Sequence, residues 1–391
     1  MRLEKKDEDA LAGKQGHAAQ KSMEILLALG NIYGADKLIP VSSVQVAGVS
    51  YHNLGDAGLE FLDEMARDGK AVVTTTLNPA GMDLRDWKKL GISSEFAEKQ
   101  LRIIRAYAKM GIQTTCTCTP YLIGNKPNFG EHIAWSESSA VCYANSILGA
   151  RTNREGGPSA LAAALIGKTP NYGLHLEKNR QAQVLVEVQT PLTNVPDFGA
   201  LGYAIGKKIK NKIPLIRGVK KASLEQLKSF CASIATFGGT ALFHIEKITP
   251  NKTTTPKEKI EITREDIAEA YAALNDSEKP DFVSIGCPHC SLAELKRIAE
   301  LVRGKKVKKE FWICVARAVK EKADVLGYSK TIEASGAKFA CDTCMAVAPL
   351  KGRFRCMAID SAKGCYYARG NNNFKTNFKT LEECVREALS D

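Results

Sequence analysis

Asp281-Phe282-Val283-Ser284-Ile285-Gly286-Cys287-Pro288-His289-Cys290-Ser291 is the stretch on which the fold turns. Residues 281–285 form a short apolar run, as expected of a strand buried on both faces. Ser291, with Glu294 three residues on, caps a helix expected to run to about Val302. Cys287 therefore lies between the carboxyl end of a strand and the N-terminus of a helix, where open α/β sheets bind ligands. The partial positive charge of that helix end favours a thiolate.

Outward from this unit the pattern repeats. Residues 311–315 read as the next strand, with a helix to about Leu326, and upstream Thr263 opens a helix carrying Ile267, Tyr271 and Leu274. The alternation predicts an α/β fold with parallel sheets covered by helices. Residues 249–259 are polar, with Pro250 and Pro256, and are the expected linker between a region at 1–250 and a domain at 260–391. In the first region, strands are expected at 38–47, 71–76 and 184–188. Helices are expected from Asp56 to Arg67 and from Ser94 to Met110, and after Ser223, whose capping partner is Gln226. Residues 114–173 are rich in Gly, Pro, Asn, Ser and Thr, and such a long irregular segment marks an active-site belt.

The chain has 391 residues, enough for two or three domains. No apolar run reaches the roughly 18–20 residues of a membrane helix. The charged N-terminus lacks the apolar core of a secretory signal, so a cytoplasmic location is expected. Twelve cysteines in such a compartment are not a disulfide framework. Cys231, Cys314 and Cys384 sit in helical or strand-like apolar patterns and read as packing residues. The net charge of +12 comes from scattered Lys and Arg, without an aromatic-interleaved basic stripe. An anionic substrate or an acidic partner accounts for it better than nucleic acid.

Three segments carry chemistry: Thr115-Cys116-Thr117-Cys118-Thr119-Pro120, Gly286-Cys287-Pro288-His289-Cys290, and Cys341-Asp342-Thr343-Cys344. Their spacing is compatible with an iron–sulfur cluster, a Cys₄ zinc site or buried structural thiols. The small hairpin of a zinc ribbon and the thioredoxin-like setting of a redox pair are both missing.

The order of these segments resembles the aconitase superfamily, in which a Cys-containing turn after a strand is followed by a βα unit and a Thr-Cys-Gly-Pro-Cys turn. Here Asp342-Thr343 replaces the Gly-Pro, and Pro288-His289 replaces a Thr-Asn. The closer resemblance, over nearly the whole chain, is to aconitase X. It is carried by residues 48–51, 76–83 (Thr-Leu-Asn-Pro-Ala-Gly-Met-Asp) and 118–121. Most specific is the run Tyr143-Ala144-Asn145-Ser146-Ile147-Leu148-Gly149-Ala150-Arg151-Thr152-Asn153-Arg154-Glu155-Gly156-Gly157-Pro158-Ser159.

That resemblance implies an aconitase-like, multi-domain α/β fold with the active site at a domain interface. It also implies an iron–sulfur hydro-lyase, with a 4Fe-4S cluster on three cysteines expected. Those cysteines are expected to be Cys118, Cys287 and Cys344, with Cys341 the alternative to Cys118, and Cys116 and Cys290 as nearby buried thiols. Substrate contacts are expected from Ser50, Asn78, Arg151, Thr152, Asn153, Arg154 and Lys363, and catalytic roles from Arg151 and His289. The bland alternative for Arg154 is an ion pair with Glu155. The archaeal two-subunit type dehydrates 5-phosphomevalonate in a modified mevalonate pathway. It works with a small swivelling subunit that supplies a catalytic serine and for which the chain, ending at Asp391, leaves no room. The other readings are a cis-3-hydroxy-L-proline dehydratase and a non-catalytic, iron-responsive RNA-binding protein.

Overall fold

The computed structural model describes residues 1–391. Its third sheet is the one predicted from residues 281–315. Five parallel strands lie in the order Lys338–Cys341, Glu310–Val315, Phe282–Ile285, Cys356–Ile359 and Lys375–Phe378. Every residue of Phe282–Ile285 is buried, as expected of a central parallel strand with helices on both faces. Phe282 and Trp312 pack edge to face with ring centroids 5.6 Å apart. Each aromatic ring so buried contributes about 1.5–3 kcal/mol. From Phe282–Ile285 the chain builds outward to one edge, then returns to add Cys356–Ile359 on the other side. That reversal opens a crevice beyond the carboxyl ends of these two strands.

The first sheet has Ser43–Val46 at its centre, flanked in parallel by Thr74–Leu77 and Ala134–Trp135. A two-stranded antiparallel ribbon, Leu38–Pro40 with Lys168–Pro170, lies beside it. The second sheet runs His244–Ile245, Pro214–Arg217, Val184–Val188, Lys259–Ile262, again parallel. No helix is long and apolar enough to cross a membrane.

Helix signals read from the sequence recur in the structure. Ser291 with Glu294, and Ser223 with Gln226, form capping boxes on Leu292–Val302 and Leu224–Gly238. Ser94–Lys109 starts one residue after its cap, Ser93. Three local expectations shift. The helix expected from Asp56 begins at Tyr51 under a Ser50 cap, and Gly55, at φ 61°, kinks it into two pieces. The strand expected at 71–76 is Thr74–Leu77. Its leading residues are diverted, because the amides of Ala71 and Val72 bond to the carbonyls of Met110 and Ala164. The stretch expected as a linker connects two strands of one sheet, His244–Ile245 and Lys259–Ile262. It is tied down there, with Thr253 accepting the Ala182 amide at 2.8 Å and Thr255 accepting from Arg217 at 3.1 Å.

Candidate active site

Two parallel sheets aim their carboxyl ends at one cavity of about 200 Å³. From the first sheet come Ser50, Asn78 and Glu137, each a few residues past the end of a different strand. From the third come Cys287, beyond Phe282–Ile285, and Lys363, beyond Cys356–Ile359. These last two flank the crevice created by the reversal of strand order. Cys118 and Cys344 complete the wall.

Exposure separates the cysteines. Cys118, Cys287 and Cys344 keep 8%, 9% and 6% of their surface open, whereas Cys341, the alternative ligand, keeps 1% and Cys116 and Cys290 none. Cys341 does not line the cavity. Burial pushes the Cys118 thiol up to about 12, with Lys363 pulling the other way. Burial likewise raises Cys287, against Lys363 and Ser361, and raises Cys344, whose nearest ionisable neighbours are other cysteines including Cys287 and Cys118. Three crowded thiols that resist ionisation on their own are a donor set suited to a soft cation, which stabilises the thiolate form. All three line the cavity, and no three His, Cys, Asp or Glu side chains grip a single metal ion as they stand.

Lys363 is buried, pairs with Glu137 and reaches Ser138 Oγ at 3.3 Å. Burial opposes both charges, but the pair wins. Glu137 falls to about 2 despite its desolvation, and Lys363 is raised. Asn78 Nδ2 donates to Glu137 at 2.8 Å, which fixes the amide and leaves Asn78 Oδ1 buried without a partner. Arg154 lines the cavity from its exposed rim. Glu155 is turned away from it and instead accepts from Ser159 at 2.6 Å and Thr169 at 3.2 Å. Ser50 caps its helix, and its hydroxyl donates to the Val347 carbonyl at 3.0 Å.

Other expected site residues lie elsewhere. Arg151 does not line the cavity; it pairs with Glu177 and donates to the His175 carbonyl at 3.3 Å. Thr152 is fully buried and ties Trp135 to Asn153. Asn153 accepts the Leu174 amide at 2.8 Å and donates to Tyr172 at 3.1 Å. His289, expected to be catalytic, is fully buried with both ring nitrogens engaged, Nδ1 with Thr117 Oγ1 and Nε2 with the Thr343 carbonyl, each at 2.9 Å. Burial drives its pKa down to about 4, which keeps the ring neutral. It touches the site through its backbone, whose amide donates to Cys118 Sγ at 3.2 Å.

Sequence reasoning missed Glu137 and Tyr367, both in the cavity wall. The signal for Glu137 was an acid set among serines inside the belt, where it caps the helix Ser138–Tyr143. Tyr367 lies one turn after Lys363, whose ammonium stands 5.8 Å from its ring centroid.

Family models for the first, second and third domains of aconitase X match residues 1–178, 182–272 and 280–390. The chain belongs to the aconitase X family. The three matched domains follow the three large sheets of the structure. Among curated aconitase X relatives, the phosphomevalonate dehydratase large subunit of Methanosarcina mazei is 48% identical over 99% of this chain and 97% of its own length. That of Thermococcus kodakarensis is 49% identical over 99% and 100%. The cis-3-hydroxy-L-proline dehydratase of Pseudomonas aeruginosa is 34% identical over 99% of this chain and 70% of its own. The crystal structure of Thermococcus kodakaraensis aconitase X in its holo-form superposes with a TM-score of 0.93 at 48% identity. It covers 99% of this chain and all of that one.

Proposed function

We propose that this chain is the large subunit of an iron–sulfur hydro-lyase that removes water from 5-phosphomevalonate to give trans-anhydromevalonate 5-phosphate. The observation that carries the reading is one cavity lined by Cys118, Cys287 and Cys344 together with the cations Arg154 and Lys363. The relatives that match over their whole length at 48–49% identity bear the phosphomevalonate dehydratase name. The hydroxyproline enzymes match at 34–36% over only 68–70% of their own length.

Cys118, Cys287 and Cys344 would hold the cluster. When bound, a cluster on three thiolates supplies an open Lewis-acid position for the departing hydroxyl. The chain's own groups do the rest. Arg154, unpaired at the rim, receives the phosphate or carboxylate with a forked guanidinium. Lys363 places a permanent positive charge inside a low-dielectric cavity, and Glu137 keeps that lysine ionised and fixed in place. Asn78 Oδ1 offers an acceptor to a substrate hydroxyl. The serines in the wall are already committed: Ser50 to Val347, Ser136 to the Gly156 carbonyl and Ser138 to Glu137. The proton-abstracting base is therefore assigned to a small partner subunit, which on closing also excludes water.

The test is anaerobic co-purification with the small subunit, followed by metal analysis and assay. Iron with sulfide and turnover of 5-phosphomevalonate are expected. Turnover of cis-3-hydroxy-L-proline alone would transfer the reading to that substrate, and stoichiometric zinc without iron would end it.

A further inference from the structure

The turn that delivers Cys344 contains a backbone anomaly. Asp342 sits at φ 63°, in the left-handed region, which aspartate enters more readily than most non-glycine residues but still at a cost. It stands where the resembling aconitase turn has glycine, so something must hold it.

The holding groups come from two domains. Arg317 donates through Nε to Asp342 Oδ2 at 2.9 Å and through Nη2 to Asp83 Oδ1 at 2.7 Å. Asp83 Oδ2 accepts the Cys341 amide at 2.9 Å, and Asp83 Oδ1 also accepts the amides of Arg85 and Asp86, each at 2.8 Å. In return, the Asp342 carbonyl accepts the Ala80 amide at 2.8 Å. The side chains of Asp83, Asp342 and Arg317 are 1%, 2% and 15% exposed. On the other side of the turn, the Thr343 carbonyl is pinned by His289.

We propose that Asp83, Arg317 and Asp342 form a positioning clasp. It docks the first domain onto the third at the cysteine turn and so sets Cys344 against Cys118 and Cys287. None of the three lines the cavity, so the clasp acts through the turn and not on the substrate. Cys118 is carried by the first domain and Cys344 by the third, so any slip between the domains separates two thiols that must meet one ligand group. A guanidinium spans both carboxylates at once; a lysine reaches them only as a point charge. The inference rests on the reading of Cys344 as a cluster ligand, but its readout does not.

The experiment compares wild type, Arg317→Gln, Arg317→Lys and Asp83→Asn. Arg353→Gln is the control. Arg353 donates to the Leu90 carbonyl at 2.8 Å across the same two domains, away from the cysteine turn. Alkylation of Cys344 in the metal-free chain is followed by mass spectrometry, with thermal unfolding alongside. Iron retention against a chelator is measured after anaerobic reconstitution. Arg317→Gln should speed cluster loss by at least about tenfold, the usual range for losing an outer-shell support of a metal ligand, and should speed Cys344 alkylation above the wild-type rate. Arg317→Lys should fall between, and Arg353→Gln should match wild type in both. Asp83→Asn, which is isosteric, gives the same readout should Arg317→Gln not fold. Wild-type alkylation and retention in the clasp variants would overturn the proposal, as would equal effects from Arg353→Gln. A wild-type chain that takes up no iron would instead refute the cluster reading, and the alkylation comparison would still judge the clasp.

Discussion

The run from Tyr143 to Ser159 and the short segments just past the strand ends make an instructive pair. The run carries the most specific family resemblance, yet most of its side chains face inward on their own framework. Asn145 accepts the Thr152 amide and donates to the Thr152 and Ala241 carbonyls, and Arg151, Thr152 and Asn153 tie down neighbouring loops. The strand-end residues Asn78, Glu137, Cys287 and Lys363 come from short, separate segments, and all of them line the cavity. A long match therefore reports how tightly a loop is constrained, whereas position at a strand's carboxyl end reports access to ligand. Arg154 is the exception, the residue of that run that does reach the cavity.

The largest expected effect comes from the strand-end set. Lys363→Met strands Glu137 as an uncompensated buried charge, which should destabilise the chain by about 3–5 kcal/mol in denaturant unfolding. It should also lower kcat/KM about 10²–10³-fold. Adding Glu137→Gln should restore most of the stability and none of the activity. Recovery of both would make the pair structural and erase the contrast between the two regions.

Arg154→Gln should raise KM by about ten- to a hundredfold, the worth of a hydrogen bond to a charged group. Its unfolding midpoint should not move, because no partner inside the chain is lost. An unchanged KM would put Arg154 with the framework residues.

The framework has a pH signature of its own. Burial, with His132, Arg180 and Arg151 adding to it, lowers the His175 pKa to about 3. The folded state therefore keeps His175 neutral while the unfolded chain, near 6.5, takes up a proton. That contribution to stability is complete above about pH 6.5 and is lost as the pH falls toward 3. Urea midpoints at pH 7.5 and 5 should differ less in His175→Gln than in wild type; equal differences would mean that His175 titrates normally.

The smallest effect is reserved for Arg151→Lys. Its partner Glu177 is 64% exposed, so the pair is worth under about 1 kcal/mol, and KM should stay at the wild-type value. A raised KM would return Arg151 to the substrate site.

Much of this was legible in the sequence. The run at 281–285, the Ser291 cap and the strand at 311–315 state the third sheet outright, because period and capping are local. Cys118, Cys287, Cys344, Ser50, Asn78, Arg154 and Lys363 are legible there as candidates, and all line the cavity. Arg151 and His289 read as candidates too, but the partners that turn their side chains away from the cavity, Glu177, Thr117 and Thr343, are distant in sequence or invisible to spacing. Glu137 was hidden for the same reason. Its two-residue strand is too short to give a period, and its partner Lys363 lies 226 residues on. The stretch at 249–259 reads as a linker because composition reports polarity and not which strands the segment joins.

The central claim is that Cys118, Cys287 and Cys344, and not Cys341, hold an iron–sulfur cluster in the cavity between the first and third domains. Iron, acid-labile sulfide and visible absorption should be measured in four anaerobically reconstituted variants, Cys118→Ser, Cys287→Ser, Cys344→Ser and Cys341→Ser. The first three should lose the cluster, and Cys341→Ser should keep iron and sulfide at the wild-type level. A cluster retained in Cys118→Ser and lost in Cys341→Ser would contradict the account.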